Sequence, residues 1–229
     1  NNPLGLQIVE AVTKQNGYDV EVLDLSCWMR REKIKYDINI WTWIESKILE
    51  NPSIIYGISI MNATFPWAIK IAEIIKKLFP QAIVFVGGSH ATALKEKIFE
   101  ETEAIDYVLP YEGEHTVPNF VSYILDNKEK IPSNVIGRNG MSGKIYMTCE
   151  DINLLPKLNY SNYTDLSVLD IEVGRGCAYN CYYCSAAALN GRRVRYKSID
   201  KILEEAEEAY LLLNPQKPVS YTHLRAHET

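Results

Sequence analysis

Residues 54–61 read Ile-Ile-Tyr-Gly-Ile-Ser-Ile-Met, and residues 82–88 read Ala-Ile-Val-Phe-Val-Gly-Gly. Ile54–Met61 and Ala82–Val86, the latter running into Gly87-Gly88, are short, nearly continuous apolar runs, the pattern of strands buried on both faces of a parallel sheet. Between them, Pro66 opens a helix with Ile71, Ile74, Ile75 and Leu78 on its inner face, and Pro80 ends it. The same alternation continues outward. Upstream, Pro3 precedes Leu4, Ile8, Ala11 and Val12 on one helical face, and Asn16-Gly17 supplies a left-handed stop. Val20–Leu25 then reads as a strand, and Trp41, Ile44 and Ile48 mark a helix. Downstream, a helix is predicted from about Thr92 to Glu101, a strand from Tyr107 to Leu109, and a helix from Val117 to Leu125. Strands and helices alternating at these lengths predict a doubly wound α/β domain with a parallel sheet at least four strands wide.

In such sheets a ligand lies beyond the carboxyl ends of the strands, which selects the loops 26–31, 62–65, 87–91 and 110–116. Ser59, Thr64, Ser89 and His90 offer small polar donors there. Gly87-Gly88 either lets a bulky ligand approach the backbone or makes a tight turn. Neither G-x-G-x-x-G nor G-x-x-x-x-G-K-[ST] occurs, so no dinucleotide fingerprint or P-loop is supported. After residue 131 the pattern changes. Val135-Ile136-Gly137 and Lys144-Ile145-Tyr146-Met147 flank a Gly- and Asn-containing turn and predict a β-hairpin. Residues 151–165 lack a clear period and read as an interdomain connection.

Composition narrows the function classes. The 229 residues are 47% hydrophobic and 23% charged, an ordinary globular balance. With 24 Lys and Arg against 29 Asp and Glu, the net charge of −5 argues against bulk electrostatic binding of nucleic acid. No apolar run approaches the roughly 20 residues of a membrane span. The expectation is a soluble cytoplasmic protein without membrane or nucleic-acid partners.

Five cysteines are present, and three crowd into residues 177–184 after a predicted strand, Leu169–Val173. Cys177, Cys181 and Cys184 have the spacing C-x3-C-x2-C. That suits a soft metal centre in a reducing compartment better than a disulfide framework. Structural zinc wants a fourth ligand, and electron-transfer iron–sulfur clusters use four cysteines. Cys27 and Cys149 lie in other segments. Three ligands leave one iron of a four-iron cluster open, where a substrate or cofactor can be chelated.

The C-x3-C-x2-C loop after a strand, with Tyr183 just before the third cysteine, resembles the radical S-adenosylmethionine (radical SAM) superfamily. The resemblance implies that Cys177, Cys181 and Cys184 hold a [4Fe-4S] cluster whose open iron binds S-adenosylmethionine, with Tyr183 beside the adenine. Reductive cleavage would then give methionine and a 5′-deoxyadenosyl radical. Residues 191–198 (G-R-R-V-R-Y-K-S) resemble the basic segment of the cobalamin-binding branch. A helix follows from about Ile199, capped by Ser198, with Ile202, Leu203, Ala206 and Tyr210 inward. The arginines face either the cofactor carboxylate, the other domain or solvent, exposure being the commoner case. Pro3-Leu4-Gly5-Leu6, Val22-Leu23-Asp24, residues 87–92 and residues 106–114 resemble that branch's N-terminal cobalamin-binding, Rossmann-like domain. This places Ser59, Thr64, Gly87, Gly88, Ser89, His90 and Glu112 near cobalamin. Residues 1–3 show no D-x-H-x-x-G motif, in agreement with members that supply no histidine to cobalt. His90 either borders the corrin or is a loop histidine satisfied by backbone, and for Glu112 and Glu114 the alternative is that they only solvate a strand end.

The expected organisation is a cobalamin domain over residues 1–130, lacking its first strand, a hairpin and linker over 131–166, and the start of a partial (β/α) radical SAM barrel over 167–218. Residues 219–229 resemble a translated sequencing adapter, and His223 and His227 lie within that tail. The resemblance implies a fragment of an enzyme for C-methylation of an unactivated carbon, with peptide natural products among its substrates and flavodoxin or ferredoxin as electron donor. The alternatives are a methylthiotransferase and a cofactor-binding module without turnover; the fragment itself is expected to turn over little.

Overall fold

The computed structural model describes residues 3–34, 37, 39–146, 151–163, 169–179 and 181–212. Contacts divide the chain into two compact units, Leu23–Thr148 and a second formed by Asn1–Val22 with Cys149–Thr229. In chain order the main elements are α1 Leu4–Gln15, α2 Leu25–Glu32, α3 Ile40–Glu50, β1 Ile55–Ser59, α4 Phe65–Leu78, β2 Ile83–Gly87, α5 Ser89–Leu94, α6 Ile98–Glu101, β3 Tyr107–Leu109, α7 Gly113–Leu125, β4 Ile136–Gly137, β5 Gly174–Arg175, α8 Ala186–Asn190, β6 Arg195–Tyr196 and α9 Ile199–Leu212.

The Leu23–Thr148 unit is the expected α/β layer structure. β1, β2 and β3 are parallel, in that order; β2 is buried at Val84, Phe85 and Val86 as expected, whereas β1, at the sheet edge, departs from the expected burial of both faces and leaves Gly57 and Ser59 exposed. Val84, Val86 and Val108 are fully buried, and Ile44, Ile48, Ala72 and Ile75 join them in one core. The register pairs Ser59 with Gly87 and Gly87 with Leu109, so the three carboxyl ends lie level. β4 runs antiparallel to β3 and closes that side.

The sheet differs from expectation in its membership. Val20–Leu25 is not a strand: residues 18–24 form no ladder, and Asp24 caps α2 by accepting from the Cys27 N–H at 2.9 Å. Its β-branched residues favour extended backbone, but a strand needs a partner, and none is paired to it among the described residues. The expected loop 26–31 is therefore helical. The helix predicted over Thr92–Glu101 starts earlier, at Ser89, and breaks where Lys95 adopts φ 51°, separating α5 from α6. The hairpin is present. Gly137 N–H donates to Met141 O, and Gly143 N–H to Val135 O. Met147 and Cys149 lie outside the described residues, as do residues 164–168 and the tail 219–229.

In the second unit, residues 151–163 are more than a connection. They contain 3-10 turns at Ile152–Leu154 and Ser161–Tyr163, and bury Ile152, Leu155, Leu158, Tyr160 and Tyr163. Leu169 and Ile171 are also fully buried, but the ladder begins at Gly174, later than the strand expected over Leu169–Val173. In α9 the buried positions are Glu205, Ala206 and Ala209, whereas Leu203 and Tyr210 are 61% and 51% exposed. The small alanines allow close packing on their own side, and no described residue buries the larger side chains.

Candidate functional site

At the carboxyl edge of the parallel sheet, the loops after β1, β2 and β3 are tied together through backbone. Ile60 N–H donates to Gly87 O at 2.8 Å, and His90 N–H to Ile60 O at 3.2 Å. Thr92 Oγ1 donates to Gly88 O at 2.9 Å and accepts from Tyr111 N–H at 2.8 Å. Gly88 has φ 97°, and a Cβ there would stand 2.8 Å from Ile60 O. The missing side chain is therefore used by the crossing over β1. A Cβ at Gly87 would meet nothing closer than Leu109 O at 3.5 Å.

The topology gathers Ser59, Thr64, Gly87, Gly88, Ser89, His90 and Glu112 on this one edge. Their free chemistry is unequal. Thr64 Oγ1 accepts from Met61 N–H and donates to Met61 O, which closes the Asn62–Thr64 turn. Ser59 and Ser89 are exposed. The half-buried His90 ring lies 4.7 Å from the Phe65 ring. Glu112 precedes α7 without capping it, and its carbonyl accepts from Thr116 Oγ1 at 3.1 Å. Glu114 is buried, unlike a residue that only solvates a strand end. Sequence reasoning missed Thr92, whose hydroxyl links two loops, and Tyr111, at φ 68°. Thr92 stands four residues after Gly88, the spacing by which a helical hydroxyl returns to a carbonyl, and that was its available signal.

The cysteine loop lies in the other unit, between β5 and β6. Gly174 pairs with Tyr196 and Arg175 with Arg195, and Cys177 N–H donates to Gly191 O at 3.0 Å. Gly176, at φ 91°, permits this closure, because a Cβ would lie on Arg193 O. Cys177 is half-buried, and Cys181 and Cys184 are exposed. Among the described residues, no three ligand side chains are gathered as a ready metal site. The donor set nevertheless fits an iron–sulfur cluster: three thiols in one closed, accessible loop, available to converge on a centre that gathers them. Tyr183 is 85% exposed beside them.

Of the basic segment, only part faces water. Arg192 and Arg193 are exposed, but Arg195 is buried and donates to Asn190 O at 3.2 Å. Lys197 is buried as well, donating to both Glu205 carboxylate oxygens at 2.8 Å. Arg175 makes a similar two-pronged contact with Glu172. The buried Tyr160 phenol is pushed well above the ordinary tyrosine range, first by burial and then by Glu205 and Glu208. Burial, then Lys197, lowers the Lys201 ammonium.

A family model described as B12 binding domain matches residues 1–121. The chain belongs to the B12-binding domain family. The family match includes α1 as well as the edge formed by β1, β2 and β3. Hopanoid C-3 methylase of Methylococcus capsulatus is 26% identical over 212 residues, covering 89% of this B12-binding chain and 39% of the relative. The chain spans between 24% and 44% of the length of the curated relatives it matches. Among solved structures, the radical S-adenosylmethionine methyltransferase TsrM from Kitasatospora setae, with tryptophan and a SAM analog bound, is similar at TM-score 0.74 and 19% identity, over 100% of this chain and 46% of that one. OxsB, a cobalamin-dependent S-adenosylmethionine radical enzyme with aqua-cobalamin and S-adenosylmethionine bound, is similar at TM-score 0.74 and 16% identity, over 92% of this chain and 29% of its own. These likenesses show a shared fold. No described helix is long and apolar enough to cross a membrane.

Proposed function

We propose that this chain is part of a cobalamin-dependent radical SAM methyltransferase, with residues 1–130 serving cobalamin, 131–166 linking, and 167–218 beginning the domain that serves the cluster and S-adenosylmethionine. The observation that carries the reading is the conjunction, in one chain, of a B12-binding match over residues 1–121 and a closed loop bearing Cys177, Cys181 and Cys184. When bound, the cluster supplies an electron to S-adenosylmethionine at its open iron, and cobalamin carries a methyl group.

The chain's own residues supply position. Cys177, Cys181 and Cys184 ligate as thiolates, and Tyr183 offers an aromatic face to the adenine. Ser59, Ser89 and His90 face cobalamin from the sheet edge, whose polar, accessible hydroxyls suit the amide-rich rim of a corrin. Gly88 and Thr64 shape that edge, since their own atoms are already engaged. The reaction is C-methylation of an unactivated carbon in a small molecule or peptide, a reading supported by the name of the hopanoid relative. A flavodoxin or ferredoxin in the cytoplasm supplies electrons. The 229-residue chain alone turns over little, because it spans so small a share of its relatives.

Anaerobic reconstitution with iron, sulfide and hydroxocobalamin tests this. About four irons per chain are expected. Cys181→Ala loses that cluster, and a corrin spectrum survives desalting. Absence of the corrin spectrum would overturn the cobalamin assignment, and iron binding unaffected by Cys181→Ala the cluster assignment.

A further inference from the structure

The loop that carries the cysteines depends on a short hairpin at its base. Lys197 N–H donates to Val173 O at 2.9 Å, and β5 pairs with β6 over only two residues each. Two strands this short are marginal without a further neighbour. In extended backbone, successive N–H groups point to opposite sides, so with Lys197 N–H facing β5, Tyr196 C=O and Ser198 N–H face outward. Those outward groups meet a side chain. Asn153 Oδ1 accepts from Ser198 N–H at 2.6 Å, and Asn153 Nδ2 donates to Tyr196 O at 3.2 Å. One carboxamide offers the acceptor and donor that an adjoining strand would offer.

Asn153 is itself held. Asp151 Oδ1 accepts from its N–H and its Nδ2, both at 2.9 Å, and Leu154 N–H donates to Asp151 O. Lys201 Nζ, from α9, donates to Asn153 O at 2.9 Å and also to Leu155 O. Buried Ile152 and Leu155 anchor the turn on either side. Ser198 is held from both directions, because its Oγ accepts from Lys201 N–H at 3.3 Å while its N–H goes to Asn153.

We infer that Asn153 is a positioning residue for the cysteine loop: its carboxamide completes β6 as a third strand would, and holds the base of the loop closed while Cys177, Cys181 and Cys184 bind their cluster. The inference rests on the cluster reading above. Asn153 touches neither thiol nor cluster; it acts through Tyr196 and Ser198, and from them through the ladder to Gly174 and Cys177.

The experiment has two arms, both on the full 229-residue chain. In the metal-free protein, amide hydrogen exchange is measured at Lys197 and Ser198. Asn153→Ala is expected to speed it about tenfold, in keeping with the loss of exposed backbone hydrogen bonds. In protein reconstituted anaerobically with iron and sulfide, iron release to a chelator is followed by the decay of cluster absorbance. Asn153→Ala releases iron about tenfold faster, and Asn153→Asp, which keeps the acceptor for Ser198 but not the donor to Tyr196, falls between. Lys157→Ala is the control, since Lys157 ties the same linker to Glu204 and Glu208 without touching β6. It leaves iron release unchanged even where it lowers thermal stability as much as Asn153→Ala does.

Wild-type exchange and iron release in Asn153→Ala would overturn the inference, as would equal acceleration by Lys157→Ala. Failure of the wild-type chain to take up iron would instead overturn the cluster reading, and with it the functional half of the inference, while the exchange arm still decides whether Asn153 closes the hairpin.

Discussion

Replacing each of two adjacent glycines by alanine should give opposite outcomes. At Gly88 the backbone has φ 97° and ψ −173°, a region that residues with a Cβ scarcely enter at a cost of about 1–3 kcal/mol. The new methyl would also stand 2.8 Å from Ile60 O and 3.2 Å from Ile60 N, so β1 or its following loop must shift, which adds on the order of 1 kcal/mol or more. Gly88→Ala should therefore cost about 3 kcal/mol and lower the melting temperature of this unit by roughly 10 °C. Gly87→Ala meets only Leu109 O at 3.5 Å, without a positive φ. Its stability should stay within about 0.5 kcal/mol of wild type or rise slightly, because alanine restricts the unfolded chain more than glycine. Tryptophan fluorescence in urea is the assay. All four tryptophans, Trp28, Trp41, Trp43 and Trp67, lie in the Leu23–Thr148 unit, so the signal reports that unit alone. A Gly88→Ala midpoint equal to wild type, or an equal loss from Gly87→Ala, would refute the reasoning.

Three further outcomes are expected. Lys197→Met leaves the Glu205 carboxylate buried without its cation and should cost about 3–5 kcal/mol; Lys197→Met with Glu205→Leu should recover most of it, and calorimetry of the three proteins is the check. Tyr160→Phe removes a buried hydroxyl that has no hydrogen-bond partner among the described residues, so it should change stability by no more than about 1 kcal/mol in either direction, as urea denaturation followed by circular dichroism would read. Hydrogen bonds from the Trp43 indole and Lys47 hold the Glu32 carboxyl below its ordinary 4.5. A depressed carboxylate stabilises the fold above its unfolded value, and loses that contribution as pH falls through the folded one. The Trp43 indole N–H resonance should thus shift only below about pH 4.5 in wild type and show no such step in Glu32→Gln, and a step surviving the substitution would discard the assignment.

What could be read in advance followed the range of the forces involved. β1 and β3 fell within expected strands, and β2 overran the one expected over Ala82–Val86 by Gly87 alone, because an apolar run of this kind declares its extended state locally. Val20–Leu25 carries the same local preference, but whether it becomes a strand depends on a distant partner, and Asp24 is already committed to capping α2. The C-x3-C-x2-C spacing of the three cysteines is visible in the sequence itself. The hairpin that closes their loop was not legible, because the close approaches at Gly174 and Gly176 across the loop leave no periodic signal, and the amide of Asn153 comes from 45 residues before Ser198. The basic segment shows the same limit. Arg192 and Lys197 are alike in sequence, yet one is exposed and the other is buried because α9 presents Glu205 eight positions later. In α9, periodicity found an amphipathic helix, but small residues, rather than the larger Leu203 and Tyr210, set its buried face.

The closure between Val173 and Lys197 also bears on timing during synthesis. All three thiols and the backbone ties that enclose them fall within one continuous segment, so their encounter is governed by short-range chain diffusion rather than by the docking of remote elements. As the ribosome emits the chain in order, the β5–β6 tie can form once Lys197 has emerged. The cysteine loop can thereby close, with Asn153 already emerged, ahead of whatever is translated after it.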